Sequence, residues 1–93
     1  MQTDTLMWRN YGKMVIKYIQ TALRYAHYEI LEEDKSFYGD LPGFQGVYAN
    51  ADSLEECREQ LMEVLEEWVL FRISNNLPLP QLDGIEIKIR KVA

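Results

Sequence analysis

Apolar side chains near the start of the chain recur at the spacing of a helix face. Met14, Tyr18 and Ala22 are four residues apart, and that spacing predicts a helix over residues 13–24. Gly12 precedes this pattern and weakens helical structure. We therefore expect the first helix to begin close to Gly12.

A shorter period follows, in which apolar and polar positions alternate. This alternation predicts three strands, at residues 25–33, 36–41 and 46–51. A polar turn joins the first two strands into a hairpin. Pro42 and Gly43 supply turn chemistry after the second strand, because proline restricts φ and glycine accepts a positive φ.

A long second helix is expected from residue 53 to residue 73. Ser53 and Glu56 have the spacing of a capping box, which satisfies backbone amides at a helix N-terminus. The following apolar residues form a stripe with glutamates on the opposite side. The stripe consists of Leu54, Cys57, Leu61, Val64, Leu65 and Trp68.

The last part of the chain reads as an extended connector and a strand. Pro78 and Pro80 disfavour helix in the residues before them. Ile85, Ile87 and Ile89 then alternate with charged residues, which predicts a strand with one buried face. The predicted order is α-β-β-β-α-β, an α+β fold with one mostly antiparallel sheet and a long helix packed across it.

Composition narrows the class of protein. The chain has 93 residues, a hydrophobic fraction of 47% and a net charge of −5, so we expect a single folded domain at residues 13–93 after a leader at residues 1–12. One cysteine excludes an intrachain disulfide and suits a cytoplasmic protein. No apolar run is long enough to span a membrane. The acidic charge argues against DNA binding by this chain alone.

Few residues suggest chemistry, and each has a simpler structural interpretation. His27 is the only histidine and lies in a predicted strand, while Cys57 lies on the apolar stripe and behaves there as a small hydrophobic residue. Gly39, Gly43 and Gly46 suit turns better than a phosphate-binding loop, because no helix follows them directly. We therefore expect no catalytic residue, no metal site and no cofactor, and hence a protein that is not an enzyme.

Beyond Trp68 the second helix is apolar on nearly every side, so one sheet face cannot cover this end. We expect this end and the N-terminal tryptophan to form the interface of a homo-oligomer, a dimer or higher. The alternative is that the first helix alone buries it. The expected interface residues are Trp8, Trp68, Val69, Leu70, Phe71 and Ile73.

Several short motifs occur together in a fixed order, and together they resemble the HicB family of small bacterial antitoxins. They are the tyrosine-rich strand at residues 25–30, Tyr38-Gly-Asp-Leu-Pro-Gly43, Gly46-Val-Tyr-Ala49, Ser53-Leu-Glu-Glu56 and Pro78-Leu-Pro80. The resemblance covers about residues 13–90. It implies a cut-down ribonuclease H-like core without catalytic carboxylates, oligomers, and a HicA-like toxin as the partner.

The resemblance implies an antitoxin of a type II toxin–antitoxin pair, which blocks a small basic mRNA-cleaving toxin. An acidic and aromatic surface would suit such a partner. The expected toxin-binding residues are Glu32, Glu33, Asp34, Tyr38, Asp40 and Phe44. Family members often carry a DNA-binding domain after the last strand, and this sequence stops at Ala93, so we expect a short form without one. Two alternatives are a stand-alone oligomeric module with another partner and a nuclease relic.

Overall fold

The computed structural model describes the backbone of residues 2–82 and the side chains of residues 12–82. Two helices and a three-stranded sheet form an α+β fold with one open antiparallel sheet, as the sequence predicts. The predicted strand at residues 85–90 lies outside the described residues. The elements are α1 (Gln2–Leu23), β1 (His27–Ile30), β2 (Phe37–Asp40), β3 (Tyr48–Ala51) and α2 (Leu54–Ser74).

Helix α1 begins much earlier than the predicted residue 13, because its backbone is helical from Gln2. Gly12 therefore lies inside the helix. A glycine there costs only about 1 kcal/mol relative to alanine, which is too little to end the helix by itself. The buried face is largely as predicted: Tyr18 and Ala22 are fully buried, whereas Met14 is exposed.

The sheet has the order β1-β2-β3, and both pairs of neighbours are antiparallel. The register places Gly39 opposite both Tyr28 and Ala49. Because successive side chains of a strand point to opposite faces, this register assigns every side chain of the sheet to one face or the other. The strands are shorter than the sequence suggests, since tight turns begin immediately after Ile30 and Asp40.

The core lies along one face of the sheet, where α2 packs across β3 and β2, and α1 packs in turn against α2. Small side chains at Ala49 and Ala51 let α2 approach closely, and the Cys57 Sγ lies 3.7 Å from the Ala49 carbonyl oxygen. Cys57 is therefore a packing residue, and burial raises the pKa of its thiol. The largest fully buried side chains are Tyr18, Val47, Cys57, Leu61, Leu65 and Val69.

The second helix starts where the capping motif predicts. Ser53 is the N-cap, and its hydroxyl oxygen accepts a hydrogen bond of 3.1 Å from the Glu56 amide. The same hydroxyl donates to the Glu56 carboxylate at 3.2 Å. After the helix, Arg72 Nε donates to the Pro78 carbonyl oxygen at 2.8 Å, and the Tyr18 hydroxyl donates to that of Pro80. These bonds hold the proline connector against both helices.

Candidate protein-binding face

The face of the sheet that points away from the helices carries two rows of side chains. The register aligns Glu29, Tyr38 and Asn50 in one row. Directly beside it, the same register aligns His27, Asp40 and Tyr48 in a second row. None of the six is a lysine or an arginine, and the carboxylates of Glu29 and Asp40 give this face negative charge. We call these six residues the open face.

Two tyrosines are neighbours on the open face, Tyr38 on the central strand β2 and Tyr48 on β3. The rings of Tyr38 and Tyr48 are stacked, with centroids 6.4 Å apart and planes 23° apart, as expected for diagonal neighbours on adjacent antiparallel strands. The Tyr48 side chain is 59% exposed, so the pair is available to a partner. Desolvation, followed by the charges of Asp40 and Glu29, raises the pKa of Tyr38 above its usual value.

Each tyrosine has a carboxylate directly opposite it on the neighbouring strand. Glu29 faces Tyr38, and Asp40 faces Tyr48. The Oδ1 atom of Asp40 is buried and accepts no hydrogen bond from the described residues. His27 Nδ1 lies 3.8 Å from it, too far for a hydrogen bond. Because this atom is buried, a donor from outside the chain would reach Asp40 through the rest of its side chain, which is 40% exposed.

The β1–β2 turn carries the predicted acidic cluster. Glu32, Glu33 and Asp34 are all exposed, so the turn faces outward as predicted, and their role in binding stays a prediction. Asp34 differs from the other two, because its Oδ1 accepts from the Ser36 hydroxyl at 2.6 Å and from the Ser36 amide at 3.0 Å. These bonds hold the pKa of Asp34 below its usual value. Asp34 therefore shapes the turn, and only Glu32 and Glu33 are free of that role.

Phe44 is not available to a partner, contrary to the prediction. Its side chain is only 4% exposed, and its ring centroid lies 5.1 Å from Trp68 and 6.2 Å from Tyr18. The reason is the loop between β2 and β3. Positive φ angles at Gly43 and Gly46 turn this loop back over the core, so Phe44 points inward and closes the end of the sheet.

The same loop leaves a shallow depression beside the open face. Its volume is about 400 Å³, and its wall includes Tyr38, Asp40 and Tyr48 together with loop residues 42–46. The loop is fixed in place, because the Trp68 Nε1 donates to the Gln45 carbonyl oxygen at 3.1 Å. A side chain from a partner would thus enter a preformed cleft.

The predicted oligomer interface divides into buried and exposed residues. Val69 is fully buried and belongs to the core, so its assignment to the interface is wrong. Trp68 and Ile73 are partly buried against the same core. Leu70 and Phe71 remain 57% and 63% exposed. The helical turn that brings Val69 inward directs Leu70 and Phe71 outward. In a uniformly apolar run, the sequence period cannot tell which residues are buried and which are exposed.

The exposed residues form a patch on the outer side of α2. Val64, Trp68, Leu70 and Phe71 line a broad apolar groove, and the Arg72 guanidinium lies 4.8 Å from the Trp68 ring centroid. We call these four residues the α2 patch. The side chain of Trp8, the remaining predicted member, lies outside the described side chains, so its predicted place in the interface stays a prediction.

The structure brings together residues that the sequence analysis had not associated. Tyr48, Glu29 and His27 had been assigned to strands without any role in binding, yet they flank Tyr38 and Asp40 on the open face. Alternation within each strand was a usable signal for this face. What was missing was the register, which decides whether Tyr38 and Tyr48 are neighbours.

The described residues suggest neither a metal centre nor a membrane segment. Among residues 12–82, whose side chains the structure describes, no group of three or more histidine, cysteine, aspartate or glutamate side chains is placed to hold a metal ion. Over the same part of the chain, neither helix is long and apolar enough to cross a membrane. His27 is an exposed surface residue, as its sequence position suggested.

Three antiparallel strands with helices on one side and a polar, aromatic face on the other define a small α+β protein with one open antiparallel sheet. A family model described as UPF0150-like matches residues 17–80, and the chain belongs to this family. A similar solved structure is that of TTHA0281 from Thermus thermophilus. The two sequences are 33% identical, the match covers 84% of this chain and 96% of that chain, and the TM-score is 0.76. No curated protein matches the chain significantly.

Proposed function

We propose that this protein is a bacterial antitoxin of the HicB type, which binds and blocks a small, basic, HicA-like mRNA-cleaving toxin. The observation that carries the proposal is the joined acidic surface of the open face and the β1–β2 turn, on a domain of the UPF0150-like family. An antitoxin of this kind acts in the cytoplasm, where its partner meets mRNA.

Charge and aromatic surface make different contributions to such a complex. Glu32 and Glu33 are exposed at the end of the hairpin, where they attract a basic partner and speed encounter. Tyr38 and Tyr48 supply aromatic contact area on the open face, and tyrosine is among the residues that dominate binding energy. A toxin that must hold RNA carries basic residues near its active site, so an acidic surface can compete with RNA for those residues.

The chain itself has no catalytic role in this proposal. A hydrolase needs a positioned base, nucleophile or metal, and Cys57 is buried while His27 stands on an open surface. Purified protein incubated with RNA and with DNA, with and without Mg²⁺ or Mn²⁺, should leave both intact. Cleavage that follows the protein through a column would contradict this part of the proposal.

A second candidate function is a stand-alone oligomeric binding module with a different partner. The exposed Leu70 and Phe71 side chains favour self-association in either case. In both functions we propose a homo-oligomer, most simply a symmetric dimer, in which the α2 patch of one copy contacts that of another. The identity of the binding partner therefore distinguishes the two functions, because both include the same homo-oligomer.

The test is co-expression with the protein encoded by the neighbouring gene. That neighbour should be toxic alone, harmless with this chain, and should co-purify with it. Glu32→Lys/Glu33→Lys should weaken the complex, chiefly at low ionic strength, and leave the melting temperature unchanged, since exposed charges contribute little to stability. Asp34 stays unchanged because its carboxylate holds the turn.

A matched control is Glu59→Lys/Glu63→Lys. It changes the net charge by the same amount on the exposed outer side of α2, far from the open face. If both double variants weaken the complex equally, binding depends on total charge, and the open face with the β1–β2 turn is not the binding surface. If the neighbour neither binds nor is toxic, the antitoxin function fails and the stand-alone module replaces it.

A further inference from the structure

The geometry of the open face points to the chemical group that it recognises. We propose that it binds an arginine side chain of a basic protein partner, with the guanidinium against the Tyr38–Tyr48 ring pair and its N–H groups donating to Asp40. This inference deepens the proposed function, on which it rests for the existence of a basic partner.

Arginine fits the aromatic pair better than other side chains do. A guanidinium is planar and stacks on aromatic rings, and a cation within about 6 Å of a ring centroid is attracted to the ring's π electrons. The Tyr48 ring is exposed and the Tyr38 ring is stacked beside it. The two ring planes are only 23° apart, so a guanidinium can lie nearly parallel to both beside the exposed Tyr48 ring.

The carboxylates provide the complementary charge at the positions where a guanidinium would need acceptors. Asp40 lies opposite Tyr48 and on the same face of β2 as Tyr38. The Asp40 side chain is 40% exposed, so a guanidinium from outside the chain can approach it, and hydrogen bonds between two charged groups are stronger than neutral ones. Glu29, opposite Tyr38, places a second carboxylate beside the Tyr38 ring. A guanidinium has N–H donors on several sides and can reach an acceptor while it stacks.

The same charges argue against a nucleic-acid ligand. Exposed aromatic residues on an open antiparallel sheet are also how one common RNA-binding module stacks bases. Such a module needs cations for the phosphates, whereas Glu29 and Asp40 repel them and the chain carries a net charge of −5. The depression beside Tyr38 and Asp40 is bounded by the fixed loop 42–46, and it has room for the end of one long side chain.

The experiment is a nuclear magnetic resonance titration of the full chain with three probes. The first is the peptide acetyl-Gly-Ser-Arg-Ser-Gly-amide, the second is its citrulline counterpart, which keeps the shape and loses the charge, and the third is octauridylate RNA. The arginine peptide should produce saturable shifts at the Tyr38 and Tyr48 rings and at the Asp40 amide. The citrulline peptide and the RNA should not.

Variants locate the site. Tyr48→Ala should weaken arginine binding roughly twofold to thirtyfold, the range that a cation–π contact spans, while Tyr48→Phe should keep most of it. Asp40→Asn should weaken it as well. Glu59→Gln removes the same charge from the outer side of α2 and should change nothing. Tyr48 is mostly exposed, so its variants should fold, and circular dichroism checks this.

The outcomes separate this inference from the proposed function. Equal shifts with the citrulline peptide, or saturable shifts with the RNA at these residues, would overturn the arginine site. A neighbouring protein that binds tightly yet ignores Tyr48→Ala and Asp40→Asn would overturn the site and leave the antitoxin function standing. Arginine binding at the open face without any toxic neighbour would support the site and remove the antitoxin function.

Discussion

Gly39→Ala adds one methyl group and should destabilise the protein, whereas the same substitution at Gly12 should not. A Cβ built on Gly39 would lie 2.8 Å from both Cδ1 and Cε1 of Tyr28 and 3.2 Å from the Sγ of Cys57. Carbon atoms in favourable contact are about 3.5–4.0 Å apart, so the Tyr28 ring must move by about 1 Å. The backbone of α2 restricts any movement of Cys57.

The cost follows from overpacking a well-filled core. Such insertions usually cost about 1–3 kcal/mol, and we expect Gly39→Ala to cost about 2 kcal/mol. For a domain of this size, 1 kcal/mol changes the melting temperature by about 4–8 °C. The variant should therefore melt about 8–16 °C below the wild-type protein, as measured by circular dichroism.

Gly12→Ala is the matched control. A Cβ at Gly12 meets nothing within 4 Å, and alanine is favoured over glycine inside a helix by up to about 1 kcal/mol. Gly12→Ala should therefore raise the melting temperature or leave it unchanged. The opposite signs of one substitution at two sites exclude a general effect of losing glycine flexibility.

A double-mutant cycle tests the proposed cause. Tyr28→Ala removes the ring that the new methyl group meets, so Gly39→Ala should cost much less in that background. Equal costs in both backgrounds would show that Tyr28 is not responsible. A Gly39→Ala variant as stable as the wild-type protein would refute the close approach of β1, β2 and α2 on which this reasoning depends.

Three other perturbations test separate parts of the structure. Burial raises the pKa of Tyr18 to about 12 from an ordinary 10.0. The stability that the neutral hydroxyl contributes is therefore complete below pH 10 and is lost as the pH rises to 12, a change of roughly 2–3 kcal/mol in the free energy of unfolding. Tyr18→Phe should lose about 1 kcal/mol of stability at pH 7, and its urea unfolding, measured at a series of pH values, should lack this alkaline loss. Ser53→Ala removes the N-cap of α2 and should cost about 1 kcal/mol, whereas Ser74→Ala at the exposed C-terminal end should shift the urea midpoint little. Leu70→Glu/Phe71→Glu should convert a dimer into a folded monomer in light scattering, and an unchanged particle mass would place the interface elsewhere.

The elements that follow from local pattern were predictable. Ser53 begins α2 because a hydroxyl three residues before an amide can cap it, and this geometry involves only neighbours in the chain. Buried Val47, Ala49 and Ala51 alternate with exposed Tyr48 and Asn50, because the pleat of a strand sends successive side chains to opposite faces. The strand order and the predicted class, α+β with one antiparallel sheet, follow from such elements and the short turns between them.

What the pattern left undecided depended on contacts between distant residues. Phe44 follows a proline turn and looked like an exposed loop residue, yet packing on Tyr18 and Trp68 draws it into the core. Val69 and Phe71 are equally apolar in sequence, and only the position of the sheet beneath α2 makes one buried and the other exposed.

The candidate site shows the same division between local and tertiary information. From the sequence alone, Tyr38 and Asp40 were assigned to a binding surface and the acidic turn to the outside. The pairing of Tyr38 with Tyr48, and of each tyrosine with a carboxylate, arises from the register of three strands. A register is a relation between strands that a slip of one residue would invert, so only the folded chain decides it.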